Sequence, residues 1–397
     1  MNTEITKESI CACALGHIFG YEPRYALRLV QELGSASAVF GLSPKDADAI
    51  LGAHSKYAGT IRREALDRAE EELTRLAGIG CRFLPLSDPR FPDLLRDCPD
   101  PPAGLYYKSV SEPEDIFSSA GGGRGAATVG IVGTRDISPY GRDFTVKITN
   151  AMAGTGAKPA IVSGLAFGVD ITAHIAALNA GLSTIAVLPC GIDSIYPHQH
   201  KLAAARIAES EGSAIVTDYP PGTAPTAYTF VRRNRIIAGL SQAVVITESK
   251  VKGGGLITCR LASEYGREVY AVPGRLDDFR SAGCNLLISR KEADAVFSPQ
   301  ALCLSLGLGR PAIKAQPGLA ERVETFYSRL PEVERRSICR LAAEVENKRG
   351  ITLDELCRVT GYPYNETGRL CYTLESDGFI LIDLLQRCSV ANFESRS

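Results

Sequence analysis

The chain has 397 residues, 45% of them hydrophobic and 22% charged, which allows two to four domains of ordinary globular composition. Its 44 bases and 45 acids nearly cancel, which excludes a whole-chain polycation, and no apolar run reaches the ~18 residues a membrane span needs. Met1-Asn2-Thr3-Glu4 lacks the basic start of a secretory leader, and the twelve cysteines are scattered without C-x-x-C spacing. A reduced, cytoplasmic protein is expected, with no membrane contact, no structural zinc, no iron–sulfur cluster and no cofactor. Trp is absent, so aromatic recognition falls to Phe and Tyr.

Residues 1–75 read as a helical module of the SAM-like or helix-hairpin-helix kind. Apolar residues recur at helical spacing through Ile10, Leu15 and Ile18, then Ala26, Leu27, Val30 and Leu33. Gly16, Gly20 and Gly34-Ser35 interrupt them, and Ser43-Pro44 opens another short helix. Such glycine turns can offer backbone N–H groups to phosphates; the alternative is a helical docking module. A longer helix is expected over 60–77, then a strand at Cys81-Arg82-Phe83-Leu84 and a Pro-rich connector. Gly121-Gly122-Gly123-Arg124-Gly125 has the composition of a flexible insertion.

From residue 127 short apolar strands alternate with helices, and residues 76–305 are expected to form one extended Rossmann-like domain. The strands fall at 127–132, 160–163, 184–188, 214–217, 243–247 and 268–272, with helices near 141–153, 168–180, 199–211, 230–240 and 256–266. Strands that are apolar throughout are buried on both faces, which predicts a doubly wound, mostly parallel α/β sheet. Residues 101–319 carry 21 bases against 17 acids, so any polyanion should meet this segment. Residues 306–318 are a linker by composition. The tail, 319–397, reads helix, helix, helix, β-ribbon, the order of a winged helix. Helices are expected at 333–345 and 364–376, with Thr352 and Glu355 forming a capping box for a helix between them. This tail is acidic on balance, with Arg369 the one base of its third helix, which favours protein docking over reading DNA.

The informative motifs lie where strands of the middle domain lead into helices, the edge at which such sheets bind ligands. Gly133-Thr134-Arg135 offers a close-approach glycine, a hydroxyl and a planar phosphate clamp. Ser163-Gly164-Leu165-Ala166-Phe167-Gly168-Val169-Asp170 is followed by His174. Asp170 and His174 could pair as acid and base, but a helix cap and a local hydrogen bond are the simpler roles. Phe230-Val231-Arg232-Arg233-Asn234-Arg235 sets three arginines beside Tyr228 and Phe230, with no acid from Tyr219 to Thr247. Single-stranded nucleic acid needs such cations for phosphates and rings for bases. Lys250-Val251-Lys252-Gly253-Gly254-Gly255 opens a helix with free N–H groups that can cradle a phosphate. There is no G-x-x-x-x-G-K-[ST] motif, and His198-Gln199-His200, with no third ligand nearby, is expected at the surface.

Taken in order, these loops resemble the DNA-processing protein A (DprA, or Smf) family. The resemblance rests on Gly130–Arg135 with Tyr140-Gly141, Ser163–Asp170 with Ala173-His174, Gly191-Ile192-Asp193 with Tyr196-Pro197, Tyr219-Pro220-Pro221-Gly222, Phe230 with Arg233-Asn234-Arg235, Gly255-Leu256-Ile257-Thr258, Pro273-Gly274 and Gly283-Cys284-Asn285. It implies a non-enzymatic single-stranded DNA-binding mediator that protects incoming strands and helps load RecA recombinase in natural transformation. It also implies a homodimer through the Rossmann-like domain. The DNA-contacting set expected is Gly133, Thr134, Arg135, Gly164, Phe167, Phe230, Arg232, Arg233, Asn234, Arg235, Lys252, Gly253, Gly254 and Gly255, with no catalytic or metal-binding residue. Two departures stand out. Phe167 occupies the family's arginine position, and Gly253-Gly254-Gly255 stands where the family has Ser-Gly-Ser. The alternative is a nucleotide-processing enzyme related to the lysine-decarboxylase-like phosphoribohydrolases, whose Pro-Gly-Gly-x-Gly-Thr-x-x-Glu lacks its glutamate here, Leu261 standing in that place. A winged-helix transcription regulator fits the acidic tail poorly.

Overall fold

The computed structural model describes residues 5–20, 22–52, 56–57, 59–117, 127–311, 319–328, 330–348, 350–383 and 385–390. The expected 121–125 insertion lies outside them. The chain divides into two compact units, Met1–Ala312 and Ile313–Ser397.

The larger unit is organised by a nine-stranded sheet. Its strands are β1 (Cys81–Pro85), β2 (Gly104–Lys108), β3 (Thr128–Val132), β4 (Ala160–Ser163), β5 (Thr184–Val187), β6 (Ala214–Thr217), β7 (Ala243–Ile246), β8 (Glu268–Ala271) and β9 (Asp294–Ala295). They are ordered β1-β2-β6-β5-β4-β3-β7-β8-β9. From β6 to β9 every pairing is parallel, while β1 and β2 add an antiparallel hairpin to the β6 edge. The six strands expected from apolar runs are all present, each within a residue of its expected ends. β2 was not anticipated. Leu105, Tyr106 and Tyr107 are apolar enough to be buried on both faces, but they follow a Pro-rich connector that reads as loop.

Helices cover both faces because side chains alternate along each strand. Val129, Ile131 and Val245 face Ile148, Met152 and Ala173. Val132, Val244 and Ile246 face the opposite way, toward Ile236, Ile237 and Cys259. The N-terminal helices Lys7–Phe19 and Arg63–Ala77 pack on the hairpin end of the sheet through Cys13, Ala14, Leu73 and Leu76. Shorter helices lie between them; the expected Ser43 cap accepts from Asp46 N, and Ser35 caps the four-residue helix Ala36–Val39 by accepting from Ala38 N.

The smaller unit has helices Leu319–Phe326, Glu332–Asn347, Leu353–Thr360 and Tyr364–Ser376. The expected Thr352–Glu355 capping box is formed. A three-stranded antiparallel sheet follows the order β10 (Ile351–Thr352), β12 (Arg387–Val390), β11 (Ile380–Ile382). Its core gathers Leu341, Leu356, Leu370, Leu374 and Phe379. No described helix in either unit is long and apolar enough to cross a membrane.

Candidate nucleic-acid interface

The sheet reverses its winding at β3, which lies between β4 and β7. Chains leaving the carboxyl ends of β3 and β7 therefore turn to opposite faces and leave a crevice between them, the position at which doubly wound sheets bind ligands. Two glycines let the crevice close tightly at its floor. A Cβ on Gly255 would stand 3.2 Å from Gly133 Cα, and one on Gly133 would stand 2.8 Å from the Glu248 carbonyl oxygen. Thr134 N donates to the Glu248 carbonyl at 2.8 Å, and Ser138 N to its carboxylate at 2.8 Å, so the β7 end shapes the β3 loop. Gly168, at φ 76°, is required because a Cβ there would meet the Thr134 carbonyl oxygen at 2.2 Å.

Above this floor lies an open cleft of about 740 Å³. Gly133, Thr134 and Arg135 form one wall, Phe230 and Asn234 a second, and Lys250, Lys252 and Gly253-Gly254-Gly255 the third. Arg135 is exposed, and its guanidinium lies 4.3 Å over the Phe230 ring. Tyr196 meets the same ring edge-on at 5.6 Å. Phe230 is half-buried, so a cation and an aromatic surface are presented side by side. On the third wall Gly253 is the N-cap of helix Gly254–Glu264, and a Cβ on Gly254 would enter open space. Lys252 is exposed beside it. Lys250 approaches Asp136 at 4.0 Å and the Phe279 ring at 5.1 Å. This helix start provides free N–H groups and a positive dipole end facing the cleft.

The expected arginine cluster is dispersed. Helix Ala227–Leu240 turns 100° per residue, so consecutive side chains leave in different directions. Arg233 points into the protein; it is 3% exposed and donates to the Gly164 carbonyl at 2.6 Å and to the Val187 carbonyl. Burial lowers its pKa to about 10, opposed by nearby Asp170. Arg235 is also buried, in an ion pair with Asp218 and a hydrogen bond to the Asp100 carbonyl. Half-buried Arg232 donates to the Gly20 carbonyl at 2.5 Å, bracing the helical module against the sheet domain. Arg232 and Arg235 are therefore packing groups rather than phosphate clamps, and Arg233 lies beneath the cleft wall.

Gly164, expected at the DNA, serves packing instead. It is buried, and a Cβ there would stand 2.2 Å from Arg233 Nη1, so the glycine makes room for that guanidinium. Phe167 is 43% exposed, but its ring rests edge-on against His200 at 4.8 Å, outside the cleft lining. His200, expected at the surface, is buried, with Nδ1 2.8 Å from the Leu165 carbonyl. Asp170 and His174 do not form an acid–base pair. Asp170 accepts from Gly164 N at 3.1 Å and Ala166 N at 3.4 Å, fixing its own loop, and burial raises its pKa. His174 Nδ1 lies 2.7 Å from Thr184 Oγ1, and burial lowers its pKa to about 3. In the N-terminal helices, the amides of Ala36 and Ser37 are already taken by the Glu8 carboxylate at 2.7 and 2.9 Å. That turn is closed to a phosphate.

Sequence reasoning passed over Tyr196 and Asp136, which join the cleft lining from the chain segments after β5 and β3. The segment Tyr196-Pro197 was legible as a motif; its contact with Phe230 was not.

The site and sheet thus define a doubly wound α/β protein with a cationic, partly aromatic cleft at its winding reversal. The sequence profile of the family described as DNA recombination-mediator protein A matches residues 82–307, and the chain belongs to that family. It is 41% identical over 226 residues to Protein Smf of Synechocystis sp., covering 57% of this chain and 54% of that one. It is 37% identical over 221 residues to the DNA processing protein DprA of Bacillus subtilis, covering 56% and 70% respectively. The matched region thus spans about half the length of the cyanobacterial relative. Among solved structures, DNA processing protein A from Streptococcus pneumoniae superposes with a TM-score of 0.63 at 29% identity, over 76% of this chain and 98% of that one.

Proposed function

We propose that this chain is a non-catalytic mediator that holds single-stranded DNA in the β3–β7 cleft, shields it, and helps deliver it to RecA recombinase. The observation that carries the reading is the Arg135–Phe230 stack facing the glycine-opened helix start across one cleft. In this reading a phosphate is held by Arg135, Lys252 and the N–H groups of Gly254 and Gly255, which line the same cleft, and the Phe230 and Tyr196 rings offer stacking surface to an unpaired base. In duplex DNA the bases are already stacked and paired, so this geometry favours single strands. The families to which the relatives' names point, DNA processing and recombination mediation, agree with that ligand.

Cytoplasmic residence and a homodimer through the sheet domain belong to the same proposal. The smaller unit fits a winged helix used for docking: Arg369, the one base on its last helix, is engaged by Glu334 at 3.0 Å. The nucleotide-processing alternative needs a carboxylate free to act in the cleft. Asp170 is tied to loop amides, and Asp136 faces Lys250 and Arg280, the latter at 3.3 Å. Gel shifts of the full chain with single strands, duplex and free nucleotides, run beside a nucleoside-release assay, test the reading. Tight binding of single strands without nucleoside release is expected. Equal duplex affinity, or turnover of nucleotides, would overturn it.

A further inference from the structure

Away from the cleft, three metal-ligating side chains from distant parts of the chain converge where the N-terminal helices meet the sheet. Cys13 and His17 lie one turn apart on helix Lys7–Phe19, on the same face by the i,i+4 rule. Glu72 comes from helix Arg63–Ala77. Cys13 Sγ is 3.5 Å from Glu72 Oε1, His17 Nε2 is 3.1 Å from the same oxygen, and the three donor atoms lie within 4.8 Å of one another. Among the described residues this is the one such group of three or more His, Cys, Asp and Glu.

We propose that Cys13, His17 and Glu72 form a zinc site. A tetrahedral ion with bonds of about 2.3 Å to sulfur and about 2.0–2.1 Å to nitrogen and oxygen spaces its ligand atoms roughly 3.3–3.6 Å apart. The two donor separations to Glu72 are already near those values, and the Cys13–His17 pair, within 4.8 Å, has to close by no more than about 1.2 Å, which a side-chain rotation supplies. Thiolate, imidazole and carboxylate together suit zinc and exclude magnesium and calcium, which take oxygen ligands. The His17 side chain is 38% exposed, so an ion can reach the cluster from solvent on that side. As the sulfur–metal bond forms, the Cys13 thiol proton leaves to solvent; His17 binds as neutral imidazole, and nothing is oxidised or reduced.

The surroundings supply the outer support that such sites use. Tyr106 on β2 donates its hydroxyl proton to Glu72 Oε1 at 2.7 Å and lies 3.3 Å from Cys13 Sγ and 3.4 Å from His17 Nε2. A carboxylate held by a buried phenol keeps a fixed aim at the ion. The ion would join two helices of the N-terminal module to each other, and through Tyr106 to the hairpin edge of the sheet. This revises the expectation of no structural zinc. A search for C-x-x-C spacing misses the site because its ligands are 55 or more residues apart between the two helices.

Cobalt(II) titration of the full chain, stripped with chelator, tests the proposal. One equivalent is expected to give a thiolate-to-cobalt charge-transfer band with tetrahedral d–d absorption, discharged by one equivalent of zinc. Cys13→Ser removes the charge-transfer band. His17→Ala, at a partly exposed residue, weakens binding by about tenfold or more. Cys357→Ser, in the smaller unit, leaves both unchanged. Zinc raises the Tm of the wild-type chain but not that of Cys13→Ser. A wild-type chain with no thiolate band at one equivalent overturns the site. So does a band that survives in Cys13→Ser, or one that His17→Ala leaves at full affinity; the cluster is then only a hydrogen-bonded network.

Discussion

Arg135→Ala separates the cleft cations from the arginines that the fold has consumed. The cleft presents three exposed bases: Arg135, Lys250 and Lys252. If each neutralises one phosphate of a single strand, at about 0.7 per contact, the log–log salt slope is near −2. Raising salt from 50 to 200 mM then costs roughly 18-fold in affinity. Removing Arg135 brings the slope to about −1.4 and the same salt step to roughly sevenfold. Charge-assisted hydrogen bonds are worth about 1.5–3 kcal/mol, so at fixed low salt the variant binds one to two orders of magnitude more weakly. The loss is the same for every sequence, because a phosphate contact carries no base information. Arg135→Lys restores the slope but only part of the affinity, lacking the planar fork and its stacking on Phe230. Fluorescence anisotropy with two unrelated oligonucleotides across the salt range reads all of this. An unchanged slope in Arg135→Ala would refute the cleft as the phosphate path.

Phe230→Ala is expected to cost about 1–3 kcal/mol of single-strand affinity with the salt slope unchanged; a slope change would assign the ring to positioning Arg135 rather than to stacking. Gly164→Ala forces the Arg233 guanidinium from its place between two carbonyls, so the folded state loses about 3–5 kcal/mol, a Tm drop of at least ~6 °C by calorimetry. A wild-type Tm would show that Arg233 relocates freely. His174 has a folded pKa of about 3 against an ordinary 6.5, so between those values the unfolded chain binds the proton that the fold refuses. Stability is therefore lost as pH falls below 6.5, by about 2 kcal/mol at pH 5. His174→Asn keeps a donor toward Thr184 and is expected to flatten the dependence of Tm on pH between 7 and 5. An equal acid slope in the variant would place the sensitivity elsewhere.

The alternation of apolar runs with helical stretches was enough to place all six central strands and to locate the cleft at their carboxyl ends. Local chemistry was equally legible where it acts within a few residues, as with the Ser43 and Thr352 caps. So was the glycine-opened helix start, because a Gly run at that position leaves donors free whatever surrounds it. The composition of residues 230–235 correctly marked the loop, but not which side chains face outward. That depends on the phase of helix Ala227–Leu240 against the sheet, and tertiary packing turns Arg233 and Arg235 inward to Val187 and Asp218 while leaving Phe230 and Asn234 on the cleft. The β2 strand, the Glu8 carboxylate seated on Ala36 and Ser37, and the meeting of Cys13, His17 and Glu72 belong to the same class. Each joins residues far apart in the chain, and nothing in the local pattern of either partner specifies the other. The sequence by itself determined the six central strands and which edge of the sheet receives a ligand, because periodicity and turn chemistry are short-range. Only the tertiary structure decided which charges reach that ligand and which are spent inside, because a buried arginine and an exposed one are written with the same letter.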